Sequence, residues 1–215
     1  MNISVNDAAK RSGLSPRRIR ELIASGRLQA ERVGASWIID EAVLASFEPR
    51  IGRPMSSRNA WGLAQLFAGE HPSVSPSELS RLRKRRNELV RADEDRVAQI
   101  LRSWMAERAE RRLYRVARPD LPSLLADDDL VVSGLSDPRS GLSAAGMAEG
   151  YVLADKLDAL IRRHLLIEAD ELNSNVVLHV SDQPVEAVSP FLVAADLAEY
   201  NSPRENQRAA ELVRA

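Results

Sequence analysis

Residues 3–47, ISVNDAAKRSGLSPRRIRELIASGRLQAERVGASWIIDEAVLASF, decide how the chain is read. Ser4 or Asn6 is available to cap a first helix starting near Val5 or Asn6, and Ala8 and Ala9 are small enough to pack inward. Gly13 can take the left-handed conformation that ends helices. Ser15 then precedes Pro16, an N-cap before the position where a missing N–H costs nothing. Ile19, Leu22 and Ile23 recur at helical spacing and predict a buried stripe. That stripe leaves Arg17, Arg18 and Arg20 on the open side, near an N-terminus that also presents backbone N–H groups. Gly26 closes this helix. Strands are expected over 29–33 and 37–39, joined by Gly34-Ala35-Ser36, before Asp40 caps a third helix that inserts Val43, Leu44 and Phe47.

The order helix, Gly turn, Ser-capped helix, SGRLQAERVG, two-strand wing and closing helix resembles excisionase and MerR-type winged helix-turn-helix domains. The resemblance implies that residues 1–48 bind double-stranded DNA, with the second helix in the major groove and the wing against the backbone. Carried onto this chain, Arg17, Arg18 and Arg20 would touch base edges or phosphates. Arg27 and Arg32 would flank the wing, and Ser15 and Ser36 complete the candidate set in this segment. Arginine suits both tasks, because its planar fork bonds guanine bidentately or clamps a phosphate. The wing departs from the family pattern: Ala35 and Ser36 stand where basic residues are frequent, which thins the expected phosphate contacts. The bland alternative is a helical hairpin used for protein contacts.

Length and charge frame the rest. At 215 residues, with 44% hydrophobic side chains, the chain can build two small domains with real cores. It holds no cysteine, which excludes disulfides and thiolate metal sites. No signal peptide and no apolar run near ~20 residues is present, so the expectation is a cytoplasmic, nucleoid-associated protein without membrane contact. The net charge of −1 hides an asymmetry. Residues 1–118 carry 23 basic against 14 acidic side chains, a balance of +9; residues 119–215 carry 7 against 17, a balance of −10. A basic half facing nucleic acid and an acidic half facing another partner fit that division. Arginine outnumbers lysine 27 to 3, so the placement of arginines carries the argument rather than their abundance.

Residues 49–54 read as a linker with two prolines and a glycine, and residues 55–118 as a helical connecting module. A helix is expected from Ser56 or Ser57 to about Ala68. Ser75-Pro76-Ser77-Glu78 is a capping box that opens the next helix, which holds Arg81, Arg83, Lys84, Arg85 and Arg86. Leu79, Leu82 and Leu89 mark its buried side. Arg81, Lys84 and Arg85 join the candidate DNA contacts, against the plainer reading of an exposed helix paired to acidic neighbours. Asp93-Glu94-Asp95 supplies acids for a third first turn. Val97, Ile100, Leu101, Trp104 and Met105 form its apolar stripe, with Arg108, Arg111 and Arg112 loading its C-terminal end.

Residues 119–215 read as a small α/β domain, giving a mixed α/β chain that is mainly α. Strands are expected near 113–117, 130–133, 151–153, 165–168 and 176–180, and helices near 121–126, 140–148, 155–163 and 190–199. Ser202-Pro203-Arg204-Glu205 is a second capping box before the last helix. The run LVVSG, a small-residue stretch and Glu149-Gly150-Tyr151 resembles the nucleotidyltransferase fold, where a Gly-Ser turn holds triphosphate and three carboxylates hold two metal ions. Here Glu149 is followed by Tyr151 at the paired position, and the strand near 175–180 carries no acid, so the domain reads as a degenerate scaffold. His71, His164 and His179 share no ligand spacing, and Asp127-Asp128-Asp129 reads as a solvated acidic loop before a cation site. No enzyme, cofactor or metal is expected.

The segments GRPMSSRNAWGLAQLF, SELSRLRKRRNEL, LYRVARPDLPSLLADDDLVVSG, NVVLHV and FLVAADLAEYNSPRENQRAAELV are similar to AbiEi-like antitoxins of type IV toxin–antitoxin systems. That likeness implies a repressor of its own promoter and an antitoxin paired with a nucleotidyltransferase-type toxin; homodimerisation is expected separately, because one minimal domain reads a short site and paired half-sites extend specificity. An excisionase-like recombination directionality factor and an effector-sensing regulator are the alternatives. An active nucleotidyltransferase is disfavoured by the missing carboxylates.

Overall fold

Among the described residues, three buried apolar clusters organise the fold. The computed structural model describes residues 2–12, 15–24, 28–34, 36–46 and 53–215. It divides into two units, Met1–Arg50 and Ile51–Ala215.

The first unit runs β1 (Asn2–Ser4), α1 (Val5–Ser12), α2 (Pro16–Ala24), β2 (Glu31–Val33), β3 (Ser36–Asp40) and α3 (Glu41–Ser46). Ser4 caps α1, its Oγ accepting from the Asp7 amide at 3.2 Å. Ser15 caps α2 through the Arg18 amide at 3.2 Å, with Pro16 as the first helical residue. Ile19, Leu22 and Ile23 are buried, and Ile19 meets Ala8, Leu28, Ile39 and Leu44 in one apolar cluster. The three strands form an antiparallel sheet of order β1-β3-β2. β1 was invisible to pattern reading: three residues are too short to show a period, and its partner β3 lies 36 residues on, Ile3 facing Ile39. The hairpin strands are shifted from expectation, β2 beginning at Glu31 and β3 reaching Asp40. Gly13, Gly26, Phe47 and residues 49–52 of the expected linker lie outside the described residues.

The second unit begins with α4 (Ser57–Phe67), α5 (Pro76–Arg91) and α6 (Glu94–Trp104). The capping box opening α5 is complete: Ser75 accepts from the Glu78 amide, and the Glu78 carboxylate accepts from the Ser75 amide at 2.9 Å. Asp93 caps α6 through the Arg96 amide at 2.9 Å. Then follow β4 (Glu110–Arg115), α7 (Leu121–Leu125), β5 (Val131–Val132), β6 (Ala148–Leu153), α8 (Leu157–His164), β7 (Ile167–Glu168), β8 (Val176–Ser181), α9 (Pro190–Glu199) and α10 (Pro203–Arg214). The sheet has order β5-β6-β8-β4-β7. β6 and β8 are parallel, and the other pairings are antiparallel.

Helices cover both faces of this sheet. Leu121, Leu124, Leu157 and Leu160 from α7 and α8 pack on Tyr114, Val152, Val176 and Leu178. On the other face α4, α5, α6, α9 and α10 share one core that includes Leu63, Leu89, Leu101, Phe191, Leu197 and Ala209. The connecting module 55–118 and the domain 119–215 are therefore one folded unit: α4–α6 find their apolar partners in α9 and α10, and β4 pairs with β8 across that boundary.

Two expectations are corrected here. Arg108, Arg111 and Arg112 do not extend α6, which ends at Trp104; Arg111 and Arg112 belong to β4. The sequence ERRLYR carries helix formers, and pairing with the β-branched run of β8 overrides that propensity. Residues 140–148 are not helical either. Gly141 (φ 64°) and Gly146 (φ 84°) adopt left-handed turns incompatible with a helix, and Ala148 already belongs to β6.

Candidate functional site

In the first unit, the buried stripe of α2 dictates what the helix exposes. With Ile19, Leu22 and Ile23 inward, Arg17, Arg18 and Arg20 are exposed on its N-terminal half. Glu21 lies between two of them, 3.1 Å from Arg17 Nε and 3.1 Å from Arg18. Hydrogen bonds from Arg18 and then Arg17 hold its carboxyl below the usual range. Arg17 still exposes 89% of its side chain, so Glu21 orients it without covering it. Ser15 is engaged as the helix cap and can still donate its hydroxyl proton. Arg32 of β2 stacks its guanidinium 5.9 Å from the Trp37 ring centre, and Ser36 is exposed at the start of β3. Arg27 lies outside the described residues.

In the second unit, Arg81 and Lys84 are exposed on α5, as expected. Arg85 behaves differently. Its guanidinium lies 5.0 Å from the Trp104 ring centre and the residue is half-buried, so it packs α5 on α6.

The unit also contains a buried polar cluster that sequence reading did not assemble. Alternation along β6 and β8 turns Glu149, Tyr151 and His179 to the face covered by α9, while Val152, Val176 and Leu178 point the other way. Tyr151 lies opposite His179 in the parallel register, and their rings stack at 4.9 Å. α9 inserts Asp196 from above, and the turn after α6 inserts Arg108. Arg108 donates to Tyr151 Oη at 2.8 Å, to Asp196 Oδ1 at 2.6 Å and to the Met105 carbonyl at 2.9 Å, and it pairs with Glu199 at 2.6 Å. Tyr151 donates to Asp196 Oδ1 at 2.7 Å, and Ser133 donates to Oδ2. Glu149 Oε2 accepts from the Leu135 amide and from Tyr200 Oη, each at 2.8 Å, while Oε1 meets His179 Nε2 at 3.0 Å.

The electrostatics follow from this geometry. Burial would discharge Arg108, but Glu199, Tyr151 and Asp196 push its affinity for the proton well above normal. Burial likewise opposes a charged His179, and Asp196, Glu149 and Glu199 outweigh it, raising its pKa. Tyr151 and Tyr200 are raised chiefly by burial and keep their protons. Burial opposes ionisation of Glu199, and Arg108 with His179 reverses that to leave its pKa lowered.

Ligand atoms of Glu149, His179 and Asp196 lie within 4.8 Å of one another, so the residue types and spacing could close on a divalent ion. The carboxylate oxygens among them are otherwise engaged. Both oxygens of Asp196 accept from protein donors, and Arg108 sits 2.6 Å from one of them. A second cation there would meet a fixed guanidinium, so the cluster reads as an internal tie between α9, the sheet and the turn after α6. The Ser133-Gly134 turn is filled in the same way. Gly134 has φ 55°, and a Cβ there would lie 2.0 Å from the Glu149 carboxyl carbon. The carboxylate bound by this turn's Leu135 amide is the protein's own.

Glu149 and Tyr151 stand out in the sequence, whereas Asp196 does not, and the roles of Arg108, read there as a helix-end cation, and of His179 are hidden. An aspartate within the apolar run FLVAADLA was the available signal. The acidic run is also explained: Asp127 bonds Arg163 and His164, and Asp129 bonds Arg163. Burial opposes ionisation of Asp127, yet these partners bring its pKa down to about 2.

Comparison of the chain with protein-family models, curated proteins and solved structures yields no match.

Proposed function

We propose that the protein is a DNA-binding transcriptional repressor whose first unit works as a winged helix-turn-helix. The observation that carries this reading is α2: a Ser15-capped helix with three exposed arginines on the half nearest its N-terminus, backed by a fully buried Ile19. An N-terminal half-helix is what enters a major groove, and arginine can read guanine there. The hairpin of β2 and β3 serves as the wing, with Arg32 steadied on Trp37.

The reading extends to autoregulation within a toxin–antitoxin pair, where the second unit binds a nucleotidyltransferase-type toxin and does no chemistry itself. Its Ser133-Gly134 turn supports that division, because the Leu135 amide of this turn already holds the protein's own Glu149 carboxylate. Mobility shift of the protein's own promoter fragment tests the DNA reading. Arg17→Ala with Arg18→Ala removes specific retardation, each lost base contact weakening binding by about 1–3 kcal/mol. Unchanged specific binding in that double variant sinks the assignment of α2. Co-expression with a toxin encoded alongside tests the second part: rescue of growth is expected, and its absence refutes the antitoxin role.

A further inference from the structure

The cations of α5 fall on two flanks. With Leu82 and Leu89 inward, residues 81, 84, 88 and 91 lie on one side of the helix and residues 83, 86, 87 and 90 on the other. The first flank mixes signs, since Glu88 sits beside Arg96 at 3.9 Å. The second opens on a concavity of about 330 Å³ lined by Arg83, Arg86, Asn87, His71 and Gly69, with Glu70 as the acid among them. No carboxylate lies within ion-pair distance of Arg83 or Arg86 among the described residues.

Arg86 is held in place. Its guanidinium lies 5.4 Å from the Phe67 ring centre, and Phe67 stacks on Phe191 at 4.1 Å and 6°. A fixed guanidinium loses little freedom on binding, which favours it as an oxyanion contact. Gly69 (φ 79°) has nothing within 4 Å of where a Cβ would stand, so the approach is open. Two guanidinium groups, an amide and an imidazole converge there, a set matched to a phosphoryl oxyanion. The neighbouring aromatic ring, Phe67, is already engaged by Phe191 and Arg86, leaving no stacking surface for a nucleobase.

We infer that this concavity is a phosphate subsite that grips a nucleic-acid backbone, through Arg83 and Arg86 rather than the Arg81 flank. The identity of the polyanion rests on the DNA-binding reading of the first unit, which would hold a duplex at high local concentration. The site itself does not depend on which base contacts α2 makes.

The test uses the full chain and compares promoter and unrelated duplexes by fluorescence anisotropy across salt. Arg83→Gln with Arg86→Gln should lower the slope of log affinity against log salt by ~2 and weaken both duplexes roughly ten-fold at low salt. Preference for the promoter should survive. Glu70→Gln should act oppositely and strengthen both duplexes. Arg17→Ala with Arg18→Ala should remove the preference while leaving the Arg83/Arg86 contribution measurable on the unrelated duplex, so the two readings fail separately. Matching circular dichroism melts confirm that the variants fold. An unchanged salt slope in the Arg83/Arg86 variant overturns the proposal. So does saturable binding of inorganic phosphate or mononucleotide that needs both arginines while the duplex slope stays unaltered, since the site would then serve a free anion.

Discussion

Asp196 sits on the inward turns of a helix whose other buried residues are apolar, and it accepts three hydrogen bonds there. Removing one member of a buried charged pair leaves the other unpaired, at a cost of about 3–5 kcal/mol. Asp196→Ala should therefore lower the unfolding free energy of the second unit by that amount, read from urea titration. Gly134→Ala combines a left-handed backbone with a collision against Glu149, and should lose more than ~1 kcal/mol in the same assay. His179 gives a pH dependence with a definite sign. Its folded pKa is raised above the ordinary value of 6.5, so its contribution is complete below 6.5 and is lost as pH climbs through the folded value. The urea midpoint should fall as pH rises above 6.5, and His179→Gln should flatten that decline. Ser15, Arg17, Arg18 and Arg20 were legible in sequence because neighbouring residues place them. The buried cluster was not, because Arg108, Ser133, Glu149, His179 and Asp196 meet only through the sheet register and the docking of α9.

Among the elements, those with local punctuation were the readable ones. α2, α5, α6 and α9 begin where Ser15, Ser75, Asp93 and Ser189 announce them, each side chain accepting from a backbone amide two or three residues into the helix. Ser75→Ala removes a complete capping box and should destabilise the second unit by about 1 kcal/mol, measured as a lowered melting temperature. The box at Ser202 is partial: the hydroxyl donates to Glu205, and no amide bonds back to it. Its alanine variant should cost less. Strand β1, and the part of β4 before Leu113, escaped notice for a common reason. Each owes its conformation to a partner more than 30 residues away, β3 for one and β8 for the other, and neither carries a strong period of its own. The tract 140–148 misled in the opposite direction, since its small residues suit a helix and only Gly141 and Gly146 reveal the turns.

Across the whole molecule, charge and fold divide at different places. The sign of the balance changes near residue 118, whereas the folded units meet near residue 50. The basic half therefore includes the first unit together with α4–α6 and β4, which are built into the same body as the acidic segments. The units share no apolar cluster: Ile19 lies in that of the first, while the second holds two, one around Leu63, Leu101 and Leu197 and one around Leu124, Leu160 and Leu178. Ile19→Ala should cost about 2–5 kcal/mol, enough to unfold a unit of this size. Promoter binding should vanish while the near-ultraviolet dichroism of Trp61 and Trp104 persists. The shared core of α4–α6 with α9 and α10 has a consequence for synthesis. The first unit has every strand and helix it needs once its own residues leave the ribosome, but Leu63, Leu89 and Leu101 wait for Phe191 and Leu197, made some ninety residues or more later. Throughout that interval a nascent chain carries a finished N-terminal unit ahead of an unfinished body, and any chain truncated before α9 keeps that imbalance for its lifetime.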